Sequence, residues 1–326
     1  MHLLTSKAAR RTILPVVLLL VVWAGVLFPG ASREVIARVP RVKVEFNHRQ
    51  RSPFNETKVA LLVEGRAQPH LTPLLLHYMS VVPPDWRFKF FGSKESVQHL
   101  NRSRIVRHHV DDGKLDIALL PKGLKMNGQE ATSRTFTNLE FYRDHLKPAE
   151  FLLVFQTDAM LCANSGQNLD DWIEYDWVGA SWNVNDKFGG NGGLSIRRVS
   201  KIIKILEKQV RQPNSRAEDL WLTERLAQLP GAHMANGTVQ MRFSNEMLYQ
   251  KRPMGFHTGH GGDWLYSKVW GTPELRKEMW EYCPEIKMMV SMDEESFFHN
   301  TDRCPDRQNW KRDASASEMG PTAFLV

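Results

Sequence analysis

The sequence predicts an α/β sandwich around a mainly parallel sheet, preceded by one transmembrane helix. Three observations carry that reading. Strand-like and helix-like runs alternate along the body, the pattern of crossover connections. One run, Phe151 to Phe155, is continuously apolar and aromatic, as a strand buried on both faces must be. A single long apolar block stands near the N-terminus of a chain whose mean hydropathy, block included, is polar at -0.39.

That block, Ile13 to Phe28, reads ILPVVLLLVVWAGVLF and follows Lys7, Arg10 and Arg11. Between Arg11 and Arg33 lie 21 uncharged residues. A helix of that length spans roughly 30 Å, one bilayer core. A cleaved signal peptide has a shorter apolar region and small residues before its cut, and Phe28-Pro29-Gly30-Ala31-Ser32 offers only a mediocre one. The favoured reading is an uncleaved signal anchor over 12–32, with 1–11 as a cytoplasmic tail and the body in the Golgi or ER lumen. Residues 33–56, basic and Pro-punctuated, read as a stem, 57–303 as the lumenal domain and 304–326 as a loose polar tail. Asn55-Glu56-Thr57, Asn101-Arg102-Ser103 and Asn236-Gly237-Thr238 match the N-glycosylation pattern and agree with a lumenal glycoprotein.

The body opens with the strand-like Val59 to Val63, then Glu64-Gly65-Arg66 and a helix-like Leu71 to Tyr78. Trp86 to Gly92 and, more weakly, Leu115 to Leu120 read as further strands. Asn138 to His145 suits a short amphipathic helix ended by Pro148, and Phe151 to Phe155 follows as the central strand. Val199 to Val210 and Glu218 to Leu229 carry apolar residues at helical spacing.

Charge excludes one class of partner. The chain holds 43 Lys+Arg against 36 Asp+Glu, a net +7, and residues 1–60 carry the whole excess with ten bases and three acids. The remaining body is neutral and has no overall pull on a polyphosphate, so no nucleic acid is expected as partner. Three cysteines are too few for a disulfide scaffold. Cys283 and Cys304 are the candidates to pair in an oxidising lumen, leaving Cys162 as a buried free thiol.

Four clusters could carry chemistry. Phe151–Phe155 runs into Gln156-Thr157-Asp158, and ligands of open parallel sheets bind beyond the carboxyl ends of the strands. Asp158 is thus placed to meet a metal or nucleotide, or to cap the next turn. Asp176-Trp177-Val178-Gly179-Ala180-Ser181-Trp182 precedes Gly189-Gly190-Asn191-Gly192-Gly193-Leu194-Ser195-Ile196-Arg197. Those glycines let backbone N–H groups approach a ligand, and Trp182 can stack on a sugar ring; a plain glycine-rich turn is the alternative. Glu218-Asp219 opens a helix, where the dipole alone favours acids, but either carboxylate can also serve as a base toward an attacking hydroxyl. His257 and His260, among glycines, read as a metal ligand opposite Asp158, a phosphate contact, or solvated loop residues.

The order LLVFQTDAMLC, YDWVGASW, GGNGGLSIRR, EDLW and FSNEMLYQKRPMGFHTGH resembles the largely fungal family filed as domain of unknown function 5672, over roughly residues 57 to 290. That family is similar to glycosyltransferases of the A-type fold, which bind a nucleotide-sugar in their N-terminal half. The resemblance implies a type II membrane glycosyltransferase of the secretory pathway, moving a sugar from a nucleoside-diphosphate donor to a hydroxyl of a glycan, protein or lipid acceptor. It makes Asp158 the acid that would hold Mn²⁺ or Mg²⁺ on the diphosphate, with His257 as a second contact. Glu64 and Arg66 would lie beside the nucleotide. Gln156, Trp182, Asn191, Gly192 and Gly193 would line donor and acceptor, and Asp219 or Glu218 would be the base. Metal-dependent members usually carry Asp-x-Asp, where this chain has Gln156-Thr157-Asp158. That departure weakens the metal expectation and supports the alternative, a carbohydrate-binding or pseudo-enzyme domain without turnover.

Overall fold

The computed structural model describes residues 52–259 and 265–290, together with seven helical, solvent-exposed residues of the apolar block (Pro15, Val16, Leu19, Val22, Trp23, Val26, Leu27). The remainder of the 12–32 anchor, and the tail from 291, lie outside the described residues. Among those described, no helix is long and apolar enough to cross a membrane.

The body begins with β1 (Asn55–Glu64), α1 (Leu71–Val81), β2 (Trp86–Gly92), α2 (Lys94–Asn101), α3 (Arg104–Asp111) and β3 (Leu115–Leu119). Ser93 and Ser103 start α2 and α3 by accepting backbone N–H groups of the first turn. Next come α4 (Gln129–Phe136), a π-helical turn at Phe141–His145, β4 (Phe151–Phe155), β5 (Ala159–Leu161), β6 (Trp177–Ala180) and β7 (Asn191–Arg198). The chain continues through α5 (Val199–Leu206), α6 (Glu218–Leu226), α7 (Gly237–Phe243), β8 (Ser244–Asn245), β9 (Gly255–His257), α8 (Ser267–Trp270) and α9 (Pro273–Tyr282). The expected helix over Asn138 to His145 is shorter and wider than a regular one, and α4 before it was not expected.

Six strands form one sheet in the order β3-β2-β1-β4-β7-β6. The pairs β3–β2, β2–β1 and β1–β4 are parallel, but β4–β7 and β7–β6 are antiparallel. The sheet is therefore mixed but mainly parallel, as expected: β7 alone runs against the other five strands, and β6, antiparallel to β7, has the direction of β4. The cause of the reversal is the route of β7, which leaves the glycine turn running back along β4 rather than after a crossover. Alternation along the strands divides the core: Ala60, Leu62, Leu153 and Phe155 face a cluster with α1, whereas Val59, Leu61, Leu152 and Val154 face one with α5 and α6.

A second, three-stranded sheet has the order β5-β9-β8. Behind it, Cys162 is disulfide-bonded to Cys283. This corrects the cysteine expectation: Cys162 directly follows β5, and Cys283 at the end of α9 is folded against it, whereas Cys304 lies outside the described residues.

Candidate functional site

Strand order reverses between β1 and β4, because the chain winds outward from β1 through β2 to β3 and then returns to the other side of β1. A crevice at the carboxyl ends of such a pair is where open α/β sheets bind ligands. Glu64 ends β1 and Thr157 and Asp158 follow β4, so the topology brings them together. The Thr157 hydroxyl donates to Glu64 Oε2 at 3.3 Å. Arg66 donates from its backbone N–H and its guanidinium to Glu64, at 2.7, 3.0 and 2.9 Å. The Arg66 side chain is otherwise open to solvent at 69% exposure, a cation held in place beside the crevice.

The small sheet supplies the other wall. Its central strand β9 ends at His257, which pairs in register with Ala159 of β5. On the other side β8 runs parallel, with Asn245 opposite Phe256, so Glu246 follows beside His257. The imidazole is consequently held between two carboxylates: Nε2 lies 3.4 Å from Asp158 Oδ1, and Nδ1 lies 3.4 Å from Glu246 Oε1. All three residues are buried. Burial opposes charge on this ring, but Asp158 and Glu246 outweigh it and hold the imidazolium up to about 10.

The glycine turn closes against this wall. Gly189 and Gly190 have φ of 120° and 100°, a region that L side chains rarely enter. The Asn191 amide donates to Glu246 Oε1 at 3.3 Å, and its carbonyl oxygen accepts from the Gly193 N–H at 2.7 Å. A Cβ on Gly193 would sit 2.2 Å from His257 Nε2, so only glycine admits the ring there. The Gln156 N–H donates to the Gly193 carbonyl at 2.8 Å, tying the end of β4 to the same turn. Trp182 is half-buried, its indole packed on Gly189.

The adjacent carboxylates of α6 have different surroundings. Glu218 commits both oxygens to buried Arg197, at 2.8 and 3.0 Å. Burial pushes Glu218 up to about 7 against the pull of Arg197. The two-point contact is nevertheless that of an ionised pair, and Arg197 stays charged. Asp219 accepts the Gly192 N–H at 3.1 Å and the Leu220 N–H at 2.8 Å. Burial raises Asp219 from its ordinary value, with those two N–H groups opposing. Asp219 therefore sits at the glycine turn with lone pairs to spare, while Glu218 is an anchor for Arg197.

The fold thus gathers Asp158, His257, Asn191, Gly192, Gly193 and Asp219 around one turn, with Glu64, Arg66 and Gln156 at the strand ends beside it. Glu246 and Thr157 belong to the cluster and were not singled out in the sequence. Glu246 lies within FSNEMLYQ, a segment that carried the family resemblance, but nothing in its local spacing announces that β8 will set it beside His257. A cavity of about 300 Å³ lined by Leu161, Cys162, Met254 and neighbouring residues opens at the other end of β5, away from these groups.

Residues 114–257 match the family described as a protein of unknown function (DUF5672). Over those residues the resemblance holds. The matched span ends on His257 and includes β4, the glycine turn, α6 and Glu246. No curated protein matches the chain. Among solved structures, the mannosyltransferase PcManGT from Pyrobaculum calidifontis, in complex with GDP-Man and Mn²⁺, overlaps 57% of this chain and 57% of its own at 10% identity and a TM-score of 0.39. Core-mannan synthase A from Aspergillus fumigatus, in its Mn/GDP form, overlaps 56% of this chain and 66% of its own at 7% identity and 0.33. The apo-form glycosyltransferase GlyE of Streptococcus pneumoniae TIGR4 overlaps 51% and 42% at 14% identity and 0.33. The chain spans about two fifths to two thirds of the length of these structures. These overlaps are partial, and the chemistry below rests on the site's own geometry.

Proposed function

We propose that this chain is a glycosyltransferase that moves a sugar from a nucleoside-diphosphate donor to a hydroxyl acceptor. The observation that carries the reading is the placement of Asp158 at the switch point of the sheet, with the Glu64–Arg66 pair on one side and His257 on the other. In transfer, the bond from the anomeric carbon to the diphosphate oxygen breaks, its electrons leave with the diphosphate, and the acceptor oxygen bonds to the same carbon. Arg66, held by Glu64 beside the crevice, would meet the leaving charge. In an inverting displacement Asp219 takes the acceptor's proton, since Glu218 is committed to Arg197. Charged groups held in place in this way act on the charge that develops in the transition state.

The donor set fits a divalent cation in part. Asp158 Oδ1 and His257 Nε2 face each other at 3.4 Å, and neither ring nitrogen makes a hydrogen bond among the described residues. Ligation at Nε2 requires the ring to give up the proton that its two carboxylates favour, a proton that an incoming cation would displace. Oxygen and imidazole ligands then suit Mn²⁺, with phosphate oxygens of the donor filling the rest of its shell. Asp158 and His257 would hold the ion, which when bound would neutralise the diphosphate.

We further propose a type II topology in the secretory pathway, in the Golgi or ER lumen. The apolar block with its basic flank supports it, as does the Cys162–Cys283 disulfide, which suits an oxidising compartment. Gln156, in place of a first acid, favours a second reading, a carbohydrate-binding domain without turnover.

Calorimetric titration of the full chain with GDP and UDP, with and without Mn²⁺, followed by turnover of the corresponding nucleotide-sugars, separates the two. Transfer predicts binding strengthened by Mn²⁺, release of nucleoside diphosphate, and loss of both in Asp158→Asn. Sugar binding without release of nucleoside diphosphate from any donor would establish the second reading instead.

A further inference from the structure

Glu246 is buried, at 6% exposure, and its two oxygens are treated differently. Oε1 accepts from the Asn191 amide at 3.3 Å and lies 3.4 Å from His257 Nδ1. Oε2 is buried with no hydrogen-bond partner among the described residues. A buried carboxylate oxygen left without a donor is costly, and native folds keep such atoms when something else supplies the donor. Nearby, Gln240 is fully buried, donates its amide to the Ala235 carbonyl at 2.6 Å and leaves Oε1 without a partner among the described residues. That oxygen would lie 3.0 Å from a Cβ on Gly190, the residue before Asn191. Two acceptor oxygens without donors therefore flank one glycine turn, which carries the half-buried Trp182 at its outer end.

Acceptors of this kind call for a ligand rich in hydroxyl donors. An anionic ligand group is disfavoured directly beside the Glu246 carboxylate, on the Nδ1 side of His257, whereas Asp158 and the ion it would hold stand on the Nε2 side. A phosphate suits that side, between Asp158 and Arg66, instead. We propose that Glu246 is the sugar-reading residue of the site: Oε2 accepts a hydrogen bond from a ring hydroxyl of the donor sugar, Asn191 fixes the carboxylate through Oε1, and Trp182 walls the ring. The inference rests on the transferase reading and adds to it where the sugar, as distinct from the nucleotide, is recognised.

The test compares each nucleotide with its sugar conjugate: GDP against GDP-mannose, and UDP against UDP-glucose, UDP-galactose and UDP-N-acetylglucosamine, titrated into the full chain with Mn²⁺. Glu246→Gln keeps the shape and replaces an acceptor oxygen by a donor amide. It is expected to weaken binding of the preferred nucleotide-sugar by about ten- to a hundredfold, the range for a hydrogen bond to a charged group, while binding of the bare nucleotide stays within about twofold. Asn191→Ala, which frees the carboxylate to turn, should shift the same ratio in the same direction by a smaller factor. Equal loss for nucleotide and nucleotide-sugar in both variants would make Glu246 a structural support of His257 and overturn the assignment. Unchanged sugar binding in Glu246→Gln would also overturn it and leave the transferase reading standing. Wild-type protein that binds no nucleotide or nucleotide-sugar at all would remove both.

Discussion

Two ionic clusters lie on opposite sides of the same glycine turn, and they are built on opposite terms. In the first, Arg197 is fully buried and complete: it donates to both oxygens of Glu218, to the Gly192 carbonyl at 2.9 Å and to the Ser195 hydroxyl at 2.9 Å, with Phe136 and Trp177 covering its faces. In the second, His257 lies between Asp158 and Glu246 at ion-pair distance but outside hydrogen-bond geometry, and Glu246 keeps an oxygen without a partner among the described residues. Both clusters are equally hidden from water, so burial alone does not tell scaffold from site. The difference is satisfaction. A closed network holds the turn rigid, and the open one has the residual capacity that a ligand needs.

The sharpest way to break that comparison is to remove one partner from each cluster. Glu218→Gln removes the counter-charge of buried Arg197 and turns one of its two acceptor oxygens into a donor amide, and the expected loss is about 3–5 kcal/mol of stability. Asp158→Asn should lower the melting temperature far less while abolishing Mn²⁺-dependent nucleotide binding. Similar unfolding midpoints for the two variants in urea would mean that the clusters do not differ in kind. A smaller effect sharpens the geometry of the turn. Gly193→Ala drives a methyl into the His257 ring and is expected to cost about 1–3 kcal/mol by overpacking. Gly65→Ala, with nothing within 4 Å of the added carbon, should stay within about 0.5 kcal/mol. Equal midpoints for these two would refute the close approach at Gly193.

A smaller effect than breaking either cluster lies away from both and gives a scale for an ordinary ion pair. The Arg211 guanidinium holds Glu130 down to about 2, and also donates to the Ser215 and Arg216 carbonyls, fastening the loop before α6. A carboxylate whose folded value is depressed stabilises the fold above its unfolded value near 4.5, and that contribution is lost as pH falls toward 2. Glu130 is partly exposed, so screening limits the contribution to about 1 kcal/mol. Denaturation of wild type and Glu130→Gln should differ by this amount at pH 6 and converge by pH 2. A constant difference across that range would exclude the titration as its source.

The strands were legible where their apolar pattern is strong, either continuous or alternating. Phe151–Phe155 was read with its bounds unchanged because it has no polar interruption to blur it, and Trp86–Gly92 because buried Trp86, Phe88 and Phe90 alternate with partly exposed Arg87 and Lys89. The helix over Asn138 to His145 was not, because aromatic packing of Phe141 against Phe136 and Phe91 sets that turn rather than its own periodicity. The glycine turn was visible as composition, and Asp158 as an acid after a central strand. Nothing local, however, distinguished Glu218 from Asp219, since both open the same helix; only the position of Arg197 on β7 separates the anchor from the carboxylate beside Gly192.

By itself the sequence determined the alternation of elements, the apolar block with its basic flank, the neutrality of the body, and the family that its motifs resemble. Each of these is a property of residues close along the chain. The tertiary structure alone decided the antiparallel run of β7, the Cys162–Cys283 pairing and the setting of Glu246 beside His257. These join residues far apart in sequence, and such contacts are chosen by which buried faces and backbone hydrogen bonds can be satisfied together, a condition that no local pattern records.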